Sequence, residues 1–226
     1  VTQPPSDEDI SLAKIERAYD SPPWWYDVRG FFILTFAYRS TLWEQVSLFG
    51  NNIGPVHLEG AIGSGTLFGI ILWWKRFTRK PIGSVVGFDY AEAMLAGAIR
   101  RFRGDTRIRL LKADVGSLDL PPSTFDTANV ANAVHCFPDV DAGFRELHRV
   151  LKPGGTLAMN VLLYPRGAAP LRWIAERIDQ WGMKKGILYT PYDLDDIQRR
   201  IRAAGFDIEW DDVTGNTYNV KARKPG

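Results

Sequence analysis

From Pro55 onward the chain alternates short apolar runs with amphipathic stretches, an order that few folds accept. The apolar runs fall at 56–60, 84–88, 107–112, 126–131 and 156–163, and helical patterns lie between them near 66–78, 91–103 and 139–151. Runs of this length, bounded by turn residues, read as strands. Strand and helix in alternation imply an α/β fold with a parallel sheet covered on both faces, joined by right-handed crossovers. The C-terminal part reads differently. Thr190-Pro191 has the form of an N-cap and first helical residue, Asp193, Asp195 and Asp196 suit the positive end of the helix, and Ala203-Ala204-Gly205 stops it. Phe206–Trp210 and Tyr218–Ala222 then read as two strands turning at Gly215-Asn216. The expectation is a doubly wound seven-stranded sheet, mostly parallel, finishing in an antiparallel hairpin.

Before Pro55 the pattern is helical and aromatic. A short helix is expected from Ser11 to Tyr19, a break at Ser21-Pro22-Pro23, then Trp24-Trp25-Tyr26 and a helix over 30–49. This divides the chain into a helical cover at 1–54 and a domain at 55–226, with a lid-like insertion around 165–190. A length of 226 residues accommodates one such domain and its cap.

Charge excludes some functions. The formal net charge is +2, which gives no electrostatic case for a polyanionic partner such as nucleic acid. Basic clusters at Lys75-Arg76 to Arg79-Lys80 and at Arg100, Arg101 and Arg103 read as solvated helix ends. Cys136 is the single cysteine, so neither an internal disulfide framework nor a cysteine-rich zinc site is expected, and no metal. That usage fits a reducing, cytoplasmic setting. No apolar run approaches the ~18 residues of a membrane span, and the first residues lack the basic-then-apolar pattern of a signal peptide.

The chemistry centres on Val56 to Thr66, a strand ending in Glu59, then Gly60-Ala61-Ile62-Gly63-Ser64-Gly65 and a helix start. Glycines let a ligand approach the backbone closely. A loop built for phosphate would not place Glu59 beside it, whereas an ammonium or sulfonium ligand would be favoured. A dinucleotide fingerprint needs a third small residue for helix–strand packing, and Phe68 occupies that position. Asp89 ends the next strand, where its carboxylate either accepts from two ribose hydroxyls or caps the following helix; the glycine loop one strand earlier favours ribose. Asp114 follows the third strand and either accepts from an adenine amino group or serves its own turn. Three acids at three successive strand ends suit a nucleoside that carries positive charge and no phosphate.

These residues resemble the class I S-adenosylmethionine-dependent methyltransferases, notably the branch with ubiquinone- and menaquinone-biosynthesis enzymes and many small-molecule methyltransferases. The resemblance covers roughly 55–215. It rests on Leu58-Glu59-Gly60-Ala61-Ile62-Gly63-Ser64-Gly65, Val86-Gly87-Phe88-Asp89, Lys112-Ala113-Asp114, Phe125-Asp126, Leu147 to Leu157 with its Lys152-Pro153-Gly154-Gly155 turn, and Ala204-Gly205-Phe206. It implies a Rossmann-like fold with a helical cap and S-adenosyl-L-methionine as cofactor, released as S-adenosyl-L-homocysteine. It also implies that Glu59, Ala61, Gly63 and Gly65 cradle the methionine part, Asp89 the ribose and Asp114 the adenine. Tyr90, Met94, Val115 and Asn132 complete the implied cofactor contacts. Ala61 departs from the family's usual glycine and requires a φ that an L-residue tolerates.

The segment Asn129 to Phe137 is expected to face the methyl, and it lacks the Asn/Asp-Pro-Pro-Tyr/Phe motif of amide and base methylation. His135 is the foremost candidate base, with packing or cofactor contact as its alternative, and Tyr26 a second candidate. Tyr19, Trp25, Arg29, Tyr38 and Tyr164 are candidate acceptor contacts, on an aromatic cover that would exclude water. The expected reaction is in-line transfer to oxygen or carbon, with nitrogen open, of a small apolar or aromatic acceptor. Two other readings stand beside it: a non-catalytic methyltransferase-fold subunit, and a lipid methyltransferase held at a membrane surface. Peripheral membrane contact and a homodimer are the remaining partner expectations.

Overall fold

The structure is a computed structural model and describes residues 40–165, 169–184 and 191–226. Its strands are β1 (Val56–Gly60), β2 (Ser84–Asp89), β3 (Ile108–Lys112), β4 (Phe125–Val130), β5 (Leu151–Leu162), β6 (Asp207–Thr214) and β7 (Thr217–Arg223). Its helices are α1 (Leu42–Asn52), α2 (Thr66–Phe77), α3 (Glu92–Arg101), α4 (Val140–Val150), α5 (Ala169–Lys184) and α6 (Leu194–Ala203). One sheet runs β3-β2-β1-β4-β5-β7-β6. β1 to β5 run parallel to one another, and β7 is antiparallel to both β5 and β6. The doubly wound sheet with its terminal hairpin is therefore present.

The chain steps outward from β1 to β2 and β3, then returns to β4 on the other side of β1. Connections leave the C-terminal ends of β1 and β4 in opposite directions, which opens a crevice there. Two apolar layers close on the sheet. On one face Val46 and Phe49 of α1 meet Phe68 and Ile71 of α2; in the other cluster Phe144 and Leu147 of α4 meet Ile197 and Ile201 of α6. Each such buried side chain contributes ~1.5–3 kcal/mol. Phe102 joins the first layer, edge-on to Phe68 at 5.5 Å between ring centroids.

Local chemistry moves three boundaries from their sequence positions. The helix expected over 30–49 has its described start at Leu42, because Thr41 and Glu44 form a capping box: the Thr41 hydroxyl accepts from Glu44 N–H, and the Glu44 carboxylate accepts from Thr41 N–H. It continues to Asn52, while 30–39 lie outside the described residues. The helix expected to start at Thr190-Pro191 starts instead at Leu194, after Asp193. Tyr192 forms a parallel bridge with Leu163, donating to Leu162 C=O at 3.0 Å and accepting from Tyr164 N–H at 3.1 Å, and this pairing keeps the backbone extended. Thr190 itself is outside the described residues. Lys75 corrects the reading of solvated helix ends: it is buried, its Nζ donates to Gly50 C=O at 3.2 Å, and burial together with Lys80 lowers its pKa.

Candidate functional site

The loop after β1 lies at the mouth of the crevice. Ala61, Gly63 and Gly65 all take positive φ, at 51°, 59° and 74°. A Cβ on Gly65 would lie 2.4 Å from the Phe102 ring, so packing as well as dihedral demands glycine there. A Cβ on Gly63 would meet nothing within 4 Å; that glycine is required by its backbone and leaves open space above the loop. Ala61 sits in the left-handed region, against the expectation of a comfortable φ, at ~1–2 kcal/mol for an L-residue.

The loop is tied to β2. Ile62 N–H donates to Phe88 C=O at 2.9 Å, and Gly63 N–H donates to the Asp89 Oδ2 at 2.7 Å. Asp89 Oδ1 accepts from Ala91 N–H at 2.9 Å, so this buried carboxylate organises both turns. Burial raises its pKa to about 6 against the opposing effect of hydrogen bonds from Gly63, Ala91 and Tyr90. Carboxylate oxygens carry further lone pairs, so the turn-capping role leaves acceptor capacity for ribose. Asp114 is partly buried and serves its own turn: Oδ1 accepts from Gly116 N–H at 2.9 Å. Tyr90 is partly buried with the Lys112 ammonium 5.6 Å from its ring centre, Met94 is buried on α3, and Val115 is buried in the core.

Glu59 sits in a buried polar network that sequence reasoning missed. Its Oε2 is 3.0 Å from His57 Nε2 and accepts from Asn129 Nδ2 at 3.2 Å. His57 Nδ1 is 2.8 Å from the Thr127 hydroxyl, which also accepts from Gly54 N–H. The hydrogen bonds close consistently with Nε2 assigned as donor and Nδ1 as acceptor. Asn52 links the network to α1 by donating to Asn129 Oδ1 and accepting from the Thr156 hydroxyl. The available signal was a histidine and asparagines inside otherwise apolar strand runs, since buried polar groups are kept where they are hydrogen-bonded.

A second polar relay lies at the ends of β4 and β5. Asn132, with φ 55°, donates its N–H to Asn160 Oδ1 at 2.6 Å. Asn160 Nδ2 donates to Asn132 Oδ1, and Asn132 Nδ2 donates to Gln45 Oε1 at 2.9 Å. Gln45 and Asn160 were not foreseen. His135 lies nearby in a short 3-10 turn, Val134–Cys136, and is buried, which lowers its pKa to about 4. Tyr164 is exposed just past β5. Tyr19, Trp25, Tyr26, Arg29 and Tyr38 lie outside the described residues.

Residues 61–159 match a family model described as a methyltransferase domain. A demethylmenaquinone methyltransferase from Thermus thermophilus is 40% identical over 109 residues, covering 48% of this chain and 46% of that protein. A 2-phytyl-1,4-naphtoquinone methyltransferase from Thermosynechococcus vestitus is 27% identical over 176 residues, covering 76% and 71%. The chain spans about half the length of several of the curated relatives it matches. Among solved structures, the phosphoethanolamine N-methyltransferase 2 of Haemonchus contortus, in complex with phosphomonomethylethanolamine and S-adenosylhomocysteine, superposes with a TM-score of 0.70 at 17% identity, over 96% of this chain and 61% of that one. That likeness speaks for the fold. With a glycine loop tied to an acid at the end of β2, a domain model that matches residues 61–159 and quinone-methyltransferase relatives, residues 61–159 form a methyltransferase domain and the chain is similar to the class I S-adenosylmethionine-dependent methyltransferases.

Proposed function

We propose that this chain transfers the methyl group of S-adenosyl-L-methionine to oxygen or carbon of a small apolar or aromatic acceptor, with nitrogen the less favoured atom. The observation that carries the reading is the junction of Gly63 N–H and the Asp89 carboxylate at 2.7 Å, beneath open space. The residues fit the cofactor. Asp89 can accept from its ribose hydroxyls, Asp114 lies one strand further along for the base, and the buried Glu59 carboxylate favours a cationic amino acid. The names of the quinone methyltransferase relatives support a flat, apolar acceptor.

When bound, the cofactor supplies a methyl already activated on a sulfonium. The chain's own work is alignment and exclusion of water, and positioning can supply ~7–11 kcal/mol. Burial holds His135 neutral and a weak base, which favours the packing or cofactor-contact role over proton removal.

Isothermal titration with S-adenosylmethionine tests the reading. Asp89→Ala should weaken binding roughly 10- to 100-fold, from charge-assisted bonds worth ~1.5–3 kcal/mol each. Wild-type affinity should also fall as pH drops through about 6, because protonation removes an acceptor from Asp89. A wild type that does not bind, or an Asp89→Ala protein that binds equally well, overturns it.

One observation favours action at a membrane surface. Trp73 and Phe77 stack at 5.8 Å on α2, 67% and 76% exposed, beside Arg76, Arg79 and Lys80 and with no acid from 66 to 80. Aromatic rings rimmed by cations suit an anionic lipid interface. Co-sedimentation with phosphatidylglycerol vesicles, lost in Trp73→Ser/Phe77→Ser, would support this reading; equal pelleting of the variant would reject it.

A further inference from the structure

The amide relay at the ends of β4 and β5 leaves one donor over, and the direction of the relay is fixed by a backbone group. Asn132 N–H can only donate, so the Asn160 atom facing it at 2.6 Å is the carbonyl oxygen. The other end of that amide, Nδ2, is then the donor to Asn132 Oδ1 at 2.7 Å. This orients Asn132 in turn, so its Nδ2 donates to Gln45 Oε1 at 2.9 Å. No amide of this relay can be flipped without opposing two acceptors or two donors. Gln45 is therefore held with Nε2 pointing away from the relay. That nitrogen is buried and has no hydrogen-bond partner among the described residues, on a residue 1% exposed.

A buried donor without a partner is costly and rare, and calls for an explanation. Its location supplies one. Gln45 lies one turn into α1 and touches Asn132, the first residues past β4, at the crevice end of the sheet. At i+4 and i+7, Phe49 and Asn52 lie on the same face of the helix, and Asn52 is fully bonded to Ala128 C=O, Asn129 and Thr156. The inward face of α1 thus pays for its polar groups everywhere except at the crevice.

We infer that Gln45 is a ligand-contacting residue whose Nε2 donates to an oxygen acceptor, a carboxylate or carbonyl oxygen, of a molecule held over the ends of β4 and β5. The inference rests on the methyltransferase reading, in which two molecules meet there: the cofactor, with its carboxylate, and an acceptor bearing an oxygen.

Gln45→Glu isolates the donor. It keeps an oxygen toward Asn132 Nδ2 and replaces Nε2 with a group that donates only when protonated. Binding of S-adenosylhomocysteine is measured by calorimetry, and KM for the methyl acceptor by methyl transfer from labelled S-adenosylmethionine, both at pH 8 and pH 5.5. The expected result is a loss of about tenfold at pH 8 relative to wild type, with the variant-to-wild-type ratio recovering at pH 5.5. Taking the ratio removes the titration of Asp89 from the comparison. A loss in the calorimetric arm assigns the oxygen to the cofactor, and a loss confined to KM assigns it to the acceptor. Should the Gln45→Glu protein fail to fold, Gln45→Met removes the donor without burying a charge and should show the same loss at both pH values. Wild-type-like values in both arms would overturn the inference and leave the nitrogen to a buried water. A wild type that binds no cofactor would instead overturn the methyltransferase reading, and this inference with it.

Discussion

Ala61 and Asn132 meet the same backbone demand with different side chains. Both hold φ near 50° at the mouth of the crevice. Asparagine tolerates that region, and Asn132 also donates and accepts through the relay, so its conformation is matched by its bonds. Alanine has no such compensation. Ala61→Gly should therefore raise stability by about 1 kcal/mol, the left-handed penalty less the added chain entropy of glycine. Urea unfolding checks this: a midpoint that stays put or falls would mean that the alanine methyl contributes packing equal to the strain. Ala61 does pack against the core cluster, so the test weighs one term directly against the other.

At the scale of elements, the sequence was read best where periodicity and turn chemistry agree. β1 and α2 match their apolar runs almost to the residue, and the hairpin turns where Gly215, at φ 62°, supplies the conformation that the turn needs. The reading failed where a long-range contact overrode a local signal. Thr190-Pro191 has the form of a helix start, but pairing of Tyr192 with Leu163 delays α6 to Leu194. Nothing near position 192 in sequence announces a partner as far back as Leu163. The site divides in the same way. The acids that end strands were visible because their positions follow from the fold. His57, Asn129, Gln45 and Asn160 were not, because their importance lies in distances across three strands and a helix. Lys75 shows the converse: a charge run read as solvent-facing contains a lysine that donates to Gly50 beneath it.

Across the whole molecule, two buried titratable groups pull acid stability in opposite directions. His135 has a folded pKa of about 4 against an ordinary 6.5, so from pH 6.5 down to 4 the unfolded chain takes up a proton that the folded one refuses, and stability falls as pH falls. Asp89 is raised to about 6 from 3.8, so from pH 6 down toward 3.8 the folded chain takes up the extra proton, and stability is gained as pH falls. His135 accounts for a loss of roughly 2 kcal/mol between pH 7 and 5, which Asp89 partly offsets. His135→Gln should flatten the fall in unfolding free energy over that range. Parallel pH profiles for variant and wild type would show that His135 is not buried in solution as it is here.

The placement of β7 bears on how the protein is made. It follows β6 in the chain yet lies between β6 and β5, and Tyr218, Val220 and Ala222 are fully enclosed. While a ribosome is still translating this region, β6 has no neighbour to join, and one side of β5 remains open. The sheet completes only when residues 217–223 have left the exit tunnel, so a chain that stalls after β6 carries an unpaired, apolar β5 flank that chaperones or proteases can recognise.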